Sequence, residues 1–133
     1  MKETVNVKIG GTNYELYLTI GDMRRVEKEL GQSILSVMSG DVQHLLQEFG
    51  IDVVVALLKY AIHDKLHGKR TDAQVYDIIQ QYCDDGNDLD RLSGMLINVI
   101  WNTGLFGQVK APRKNAKTET VKESSKSAPS KNG

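Results

Sequence analysis

Two histidines four residues apart are the first residues in this sequence whose types suit chemistry. His63 and His67 flank Asp64, and on a helix positions i and i+4 share one face, so the pair could bind zinc with Asp64 as a general base. Asp64 is shorter than the usual glutamate, no third ligand follows at a familiar spacing, and Gly68 ends the helix at once. We therefore interpret both histidines as polar residues of a last helical turn, where the dipole favours positive charge, and predict no metal and no other cofactor.

Residues 84–90 form an acidic segment that contains four aspartates. Their spacing does not fit a calcium loop, so we predict a solvated turn in which Asp88 caps the next helix. Cys83 lies near a predicted helix C-terminus, where the dipole disfavours a thiolate, and no glycine-rich nucleophile turn surrounds it. Gly10-Gly11 is followed by neither a dinucleotide fingerprint nor a P-loop pattern. We predict no catalytic residue and no enzyme activity.

The charge of the chain is balanced overall but divided unevenly. The 133 residues include 17 Lys+Arg and 17 Asp+Glu. Residues 108–133 hold seven basic and two acidic side chains, a net charge of +5, together with both prolines and no aromatic residue. Such a composition predicts a disordered basic tail behind a globular domain of residues 1–107. That domain is net acidic, which argues against specific nucleic-acid binding.

The composition also restricts the compartment. One cysteine cannot form an internal disulfide, no apolar run approaches the roughly 20 residues that span a bilayer, and the N-terminus lacks the apolar stretch of a secretory signal. These features predict a soluble cytoplasmic protein that has no contact with the membrane.

Alternating apolar and polar residues predict a β-hairpin at the N-terminus. The strands are residues 4–9 and 14–20, with Gly10-Gly11 supplying the positive φ of the turn. The face that must pack on helices contains Val5, Val7, Ile9, Leu16 and Leu18.

Capping residues and glycines divide the rest of the domain into helices. Thr19 and Asp22 start a helix over 20–30 that stops at Gly31. The further helices, with their predicted caps, are 34–38 after Ser33, 42–49 after Asp41, 53–67 after Asp52, one after Thr71 that closes at Gly86, and one after Asp88 that ends at Gly104. The helix that includes Leu58 is apolar nearly all round in its first half, which predicts the centre of the core.

These elements predict an α+β fold. A β-hairpin at the N-terminus packs on a mainly α-helical body of five or six helices, and a disordered tail follows at the C-terminus.

The hairpin is followed by an E-x-x-L-G-x-S pattern at a helix end, here Glu27, Leu30, Gly31 and Ser33. This order of hairpin and helix end resembles that of the tail assembly chaperones of long-tailed bacteriophages and prophages. The similarity extends over about residues 5–107 and leaves the tail unmatched.

The resemblance implies a non-enzymatic protein in the cytoplasm of a bacterial host. It would bind the tape measure protein, keep it soluble and help recruit tail tube subunits, with a second copy of the chain as a further candidate partner. Helix-in-groove packing suits this role because tape measure chains expose long apolar helical stripes. A phage adaptor, such as a head–tail joining or regulatory protein, and a zinc hydrolase using His63 and His67 stay open as alternatives.

Three apolar side chains are candidates for contact with the partner. Tyr17 falls on the outward face of the second predicted strand, and Leu105 and Phe106 follow the last helix. Aromatic side chains often dominate interfaces, although packing against the core would explain the same residues.

Overall fold

The structure, a computed structural model, describes residues 3–38, 44, 47 and 49–106. A hairpin precedes five helices in this part of the chain, which confirms the predicted α+β fold. The elements are β1 (Val5–Ile9), β2 (Thr12–Leu16), α1 (Ile20–Leu30), α2 (Ile34–Met38), α3 (Ile51–Ala61), α4 (Asp72–Asp84) and α5 (Leu89–Trp101). Most of the predicted helix 42–49 and the whole of the predicted tail 108–133 lie outside the described residues. None of the helices described is long and apolar enough to cross a membrane.

The hairpin is antiparallel and closes through two glycines. Gly10 and Gly11 have φ values of 57° and 82°, a combination that side chains disfavour, and Ile9 pairs with Thr12 across the turn. The predicted inward face is buried most deeply at the end of β1, at the end of β2 and just after it, where Ile9, Leu16 and Leu18 are at most 2% exposed. Val5 and Val7 are partly buried against the same core.

The second strand is shorter than predicted. β2 ends at Leu16 because the backbone N–H of Tyr17 donates to the carbonyl of Ala61, at 3.2 Å, instead of continuing the hairpin ladder. Ile20, where the predicted strand 14–20 and the predicted helix 20–30 overlap, is the first residue of α1 and is 62% exposed.

Helix α3 lies at the centre of the core, as predicted. It packs against α1, α4 and α5. Leu57, Leu58 and Ala61 are each fully buried, and so is Val54. A helix surrounded in this way must be apolar on nearly every side, which explains its sequence.

Most predicted caps are present. Thr19 and Asp22 form a reciprocal capping box at the start of α1, Thr71 and Gln74 form another at α4, and Asp88 accepts a hydrogen bond from the Arg91 N–H at α5. Asp52, however, does not cap α3. Gly50 occupies the cap position, and Asp52 lies in the first turn, where its negative charge interacts favourably with the helix dipole.

Helix α3 ends six residues earlier than predicted. Ala61 is its last residue, and Ile62 adopts an extended conformation in which it forms a β-bridge with Leu16. The chain then folds back, and the Gly68 N–H donates to the carbonyl of Lys59 at 3.1 Å. Leu66, near the end of the predicted helix 53–67, consequently lies in a loop and is 43% exposed. Residues 62–70 are named the α3–α4 loop below.

Candidate functional site

A buried carboxylate and two imidazoles meet where α1 begins. Asp22 lies in the first turn of α1, and His63 and His67 lie in the α3–α4 loop. The distance from His63 Nε2 to Asp22 Oδ2 is 3.0 Å, and that from His67 Nε2 to Asp22 Oδ1 is also 3.0 Å. One potential ligand atom from each of the three residues lies within 4.8 Å of the others. We name this group the Asp-His-His cluster.

Asp22 serves the fold and the cluster through the same carboxylate. Its Oδ2 accepts the backbone N–H of Thr19 at 3.0 Å, which completes the capping box. The residue is 1% exposed, and the Arg25 guanidinium reaches Oδ1 only at 3.6 Å from a side chain that is 61% exposed. A negative charge is therefore held almost out of water beside two histidines.

The imidazole rings are stacked in a column. Tyr17 stacks on His63 at a centroid distance of 3.8 Å, and His63 stacks on His67 at 4.0 Å. The ring of Tyr60 meets His67 edge-on at 6.3 Å. This packing orients both Nε2 atoms toward the carboxylate.

Each Nε2 atom faces two oxygen acceptors. His63 Nε2 lies 3.1 Å from the carbonyl oxygen of Tyr17 as well as near Asp22, and His67 Nε2 lies 3.1 Å from the carbonyl oxygen of Tyr60. In this arrangement each Nε2 therefore carries a proton and donates it. Burial and the neighbouring His67 lower the pKa of His63, and these two effects outweigh the opposing attraction of Asp22.

Ion pairs hold the α3–α4 loop in place around the cluster. Arg70 makes a bidentate contact with Asp64, at 3.0 and 2.7 Å, and these hydrogen bonds lower the pKa of the Asp64 carboxyl. Asp64 also accepts the backbone N–H of Leu66 at 3.0 Å. Asp64, which stands where a metalloprotease carries its general base, is thus paired with Arg70.

The histidines come together by a route that the sequence analysis did not predict. They do not share a helical face, because α3 ends at Ala61 and both lie in the loop. The third member, Asp22, precedes His67 by 45 residues, so no local spacing could reveal it. The sequence signal at Asp22 indicated a helix start, which is correct and explains only half of what the residue does.

The three candidate partner-binding residues have different environments. Tyr17 lies beyond β2 and stacks on His63, so its ring belongs to the column beside the Asp-His-His cluster. Phe106 packs against Trp101 at a centroid distance of 5.1 Å and is partly buried. Leu105 is 45% exposed. Of these three side chains, that of Leu105 is the most open to a partner.

The acidic segment 84–90 makes structural contacts. Asp85 accepts the backbone N–H of Gly10 at 2.9 Å, which joins the hairpin turn to the turn between α4 and α5. Asp84 accepts a hydrogen bond from Gln80, and Asp88 caps α5. Cys83 is a free, partly exposed thiol.

The E-x-x-L-G-x-S pattern forms the corner between α1 and α2. Gly31 has a φ of 71° and its N–H donates to the carbonyl of Glu27 at 2.8 Å, which ends α1. The side chain of Glu27 accepts the Ile34 N–H at 2.7 Å, and Ser33 accepts the Ser36 N–H at 3.3 Å, so both residues supply acceptors to the start of α2. Leu30 packs against the core. Each residue of the pattern thus has a structural role in this corner.

The fold and its sites define a small α+β protein in which a hairpin and a helical corner surround a central apolar helix. The chain belongs to DUF6096, a family of unknown function whose model matches residues 1–130. No curated protein and no solved structure matches the chain.

Proposed function

We propose that the chain is a non-enzymatic tail assembly chaperone of a long-tailed bacteriophage or prophage, which binds the tape measure protein. The observation that carries the proposal is the order of elements: a hairpin, then a helix that ends in the Glu27 to Ser33 corner, then a small helical body. It is the same order on which the sequence resemblance rests.

Exposed apolar side chains supply a physical basis for holding a helical partner. A partner with a long apolar stripe could bury them, at about 25 cal/mol for each Å² of apolar surface removed from water. Outside the α3–α4 loop, the part of the chain that the structure describes has five large apolar residues between 45% and 64% exposed: Ile20, Leu35, Ile51, Tyr76 and Leu105.

The role would be performed in the cytoplasm of the bacterial host, before the tail tube polymerises. The chaperone would shield the tape measure protein from aggregation and bring it to tail tube subunits. Self-association of the chaperone is compatible with this role.

Co-expression with the tape measure protein encoded by the same phage tests the proposal. We expect the tape measure protein to move into the soluble fraction and to co-purify with the chain. A tape measure protein that stays insoluble, or stays unbound although soluble, would contradict the assignment.

Two leucines of nearly equal exposure allow a matched test of the contact surface. Leu105 is 45% exposed and is a predicted contact residue, whereas Leu66 is 43% exposed and lies in the α3–α4 loop. We expect Leu105→Ala to reduce co-purification and Leu66→Ala to leave it unchanged. Tyr17→Ala and Phe106→Ala need a parallel stability measurement, because each ring packs against another ring of the protein.

A further inference from the structure

We propose that the Asp-His-His cluster is a binding site for a divalent transition-metal ion of the zinc type. The proposal is independent of the chaperone function. It revises the sequence-based expectation of no metal, because that expectation depended on the lack of a third ligand near His63 and His67, and Asp22 supplies one through the tertiary fold.

The ligand types fit such an ion. Two imidazole nitrogens and one carboxylate oxygen are common zinc ligands, and three protein ligands leave a fourth position for water. Mg²⁺ and Ca²⁺ prefer oxygen ligands alone, so a site with two histidines selects against them.

The potential ligand atoms already lie close together. Each Nε2 lies 3.0 Å from an oxygen of Asp22. Ligand atoms about 2.0–2.2 Å from a tetrahedral zinc ion lie roughly 3.3 Å from one another. The three potential ligand atoms lie within 4.8 Å of one another, so movements of up to about 1.5 Å would bring them to this spacing around one ion.

The protons have a place to go. Nε2 of each ring donates a proton in the present arrangement, and a ring that binds the ion through Nε2 would carry its proton on Nδ1. This change of tautomer frees the Nε2 lone pair for the ion. The side chain of His67 is 30% exposed and that of His63 is 17% exposed, so solvent and ions have access to the rings.

The charge balance favours the ion as well. Asp22 is 1% exposed, and the guanidinium of Arg25 lies 3.6 Å away on a largely solvated side chain. A dication in the cluster would neutralise this buried carboxylate directly. It would also join the first turn of α1 to the α3–α4 loop.

The test uses the full chain, made without a histidine tag and freed of metal by a chelator. Zn²⁺ is titrated by calorimetry in an excess of Mg²⁺, which occupies acidic surface groups such as those of residues 84–90. We expect one Zn²⁺ per chain. A chain that binds no Zn²⁺ under these conditions would overturn the proposal.

Variants locate the ion. His67→Ala and Asp22→Asn should each weaken Zn²⁺ binding by more than about tenfold, since even outer ligand partners change metal affinity by about 10–100-fold. His44→Ala, which removes the remaining histidine, should leave the affinity unchanged. Equal binding by His67→Ala, or loss of binding in His44→Ala, would place the ion elsewhere and overturn the proposal.

Two measurements keep the result independent of folding defects. His67→Gln retains a side-chain N–H for Asp22 but offers no imidazole, so it should fold by circular dichroism and still fail to bind. In the unmodified protein, Zn²⁺ should shift the imidazole NMR signals of two of the three histidines. Shifts confined to His44, or no shifts, would contradict the site.

Discussion

At the scale of single residues, Lys59 places a cation in the core helix α3. Lys59 is 9% exposed, and its Nζ lies 2.8 Å from Glu29 Oε2 and 2.9 Å from Asp72 Oδ1. Burial alone would lower the pKa of this amine, but hydrogen bonds and attraction from the two carboxylates outweigh it and raise the pKa. Lys59 thereby links α1, α3 and the start of α4.

We expect Lys59→Met to lower the free energy of unfolding by about 1–2 kcal/mol at pH 7, because it removes the cation that Glu29 and Asp72 share. The loss is moderate because both carboxylates remain partly hydrated. Because the folded state raises the pKa, the stabilisation is fully present below the unfolded pKa of about 10.4. It should disappear as the pH rises through the higher folded value. Urea unfolding of both proteins between pH 7 and pH 11 measures this difference.

Lys28→Met provides the control, since Lys28 is exposed in the last turn of α1. Its effect should stay below about 0.5 kcal/mol. An equal loss in both variants, or a difference for Lys59→Met that does not shrink at high pH, would contradict the role of the ion pairs.

At the scale of elements, the corner between α1 and α2 depends on the backbone of one residue. Gly31 has a φ of 71°, and a Cβ added there would meet nothing within 4 Å. A substitution would thus report the backbone conformation alone, without a steric clash.

We expect Gly31→Ala to cost about 1–2 kcal/mol, because a left-handed conformation is disfavoured for residues with a Cβ. Gly21→Ala is the matched control. Gly21 lies within α1, where an added Cβ makes only ordinary contacts at 3.7 Å, so alanine should be neutral or stabilise by up to about 1 kcal/mol. Thermal unfolding of the two variants would reveal the opposite signs, and equal signs would refute the argument.

The core helix α3 permits a second comparison. Leu58 is fully buried, so Leu58→Ala should cost about 2–5 kcal/mol through lost burial and the cavity left behind. Leu66→Ala, in the exposed loop, should cost less than about 0.5 kcal/mol. Chemical denaturation measures both values, and a loss below about 1 kcal/mol for Leu58→Ala would contradict the central position of α3.

At the scale of the whole molecule, distant parts of the chain close the fold through a few specific contacts. The Gly10 N–H bonds to Asp85 across 75 residues, and the Tyr17 N–H bonds to Ala61. These contacts hold the hairpin against α3 and the turn between α4 and α5.

The composition of the basic C-terminal segment also allows a prediction. From its composition, we expect removal of residues 108–133 to leave the melting temperature unchanged within error, since the segment offers little apolar surface to bury. Calorimetry of the full and shortened chains tests this expectation. A decrease of several degrees would mean that the segment packs against the domain.

Local chemistry allowed the sequence by itself to determine most elements. The caps Thr19, Thr71 and Asp88 bond to backbone groups three residues away. Gly31 is required by the backbone conformation that ends a helix. Because these interactions span a few residues, their pattern is visible in one sequence, and the predicted starts of α1, α4 and α5 were confirmed.

Only the tertiary structure decided where β2 and α3 end and which side chains meet there. The hydrogen bond from the Tyr17 N–H to the carbonyl of Ala61 replaces the bonds that would continue the strand and the helix. It can form only because the hairpin lies against α3. The same packing of the hairpin against α3 places His63 and His67 beside Asp22. Residues more than 40 positions apart have no periodic relation along the chain, so their convergence follows from packing and could not be predicted from spacing.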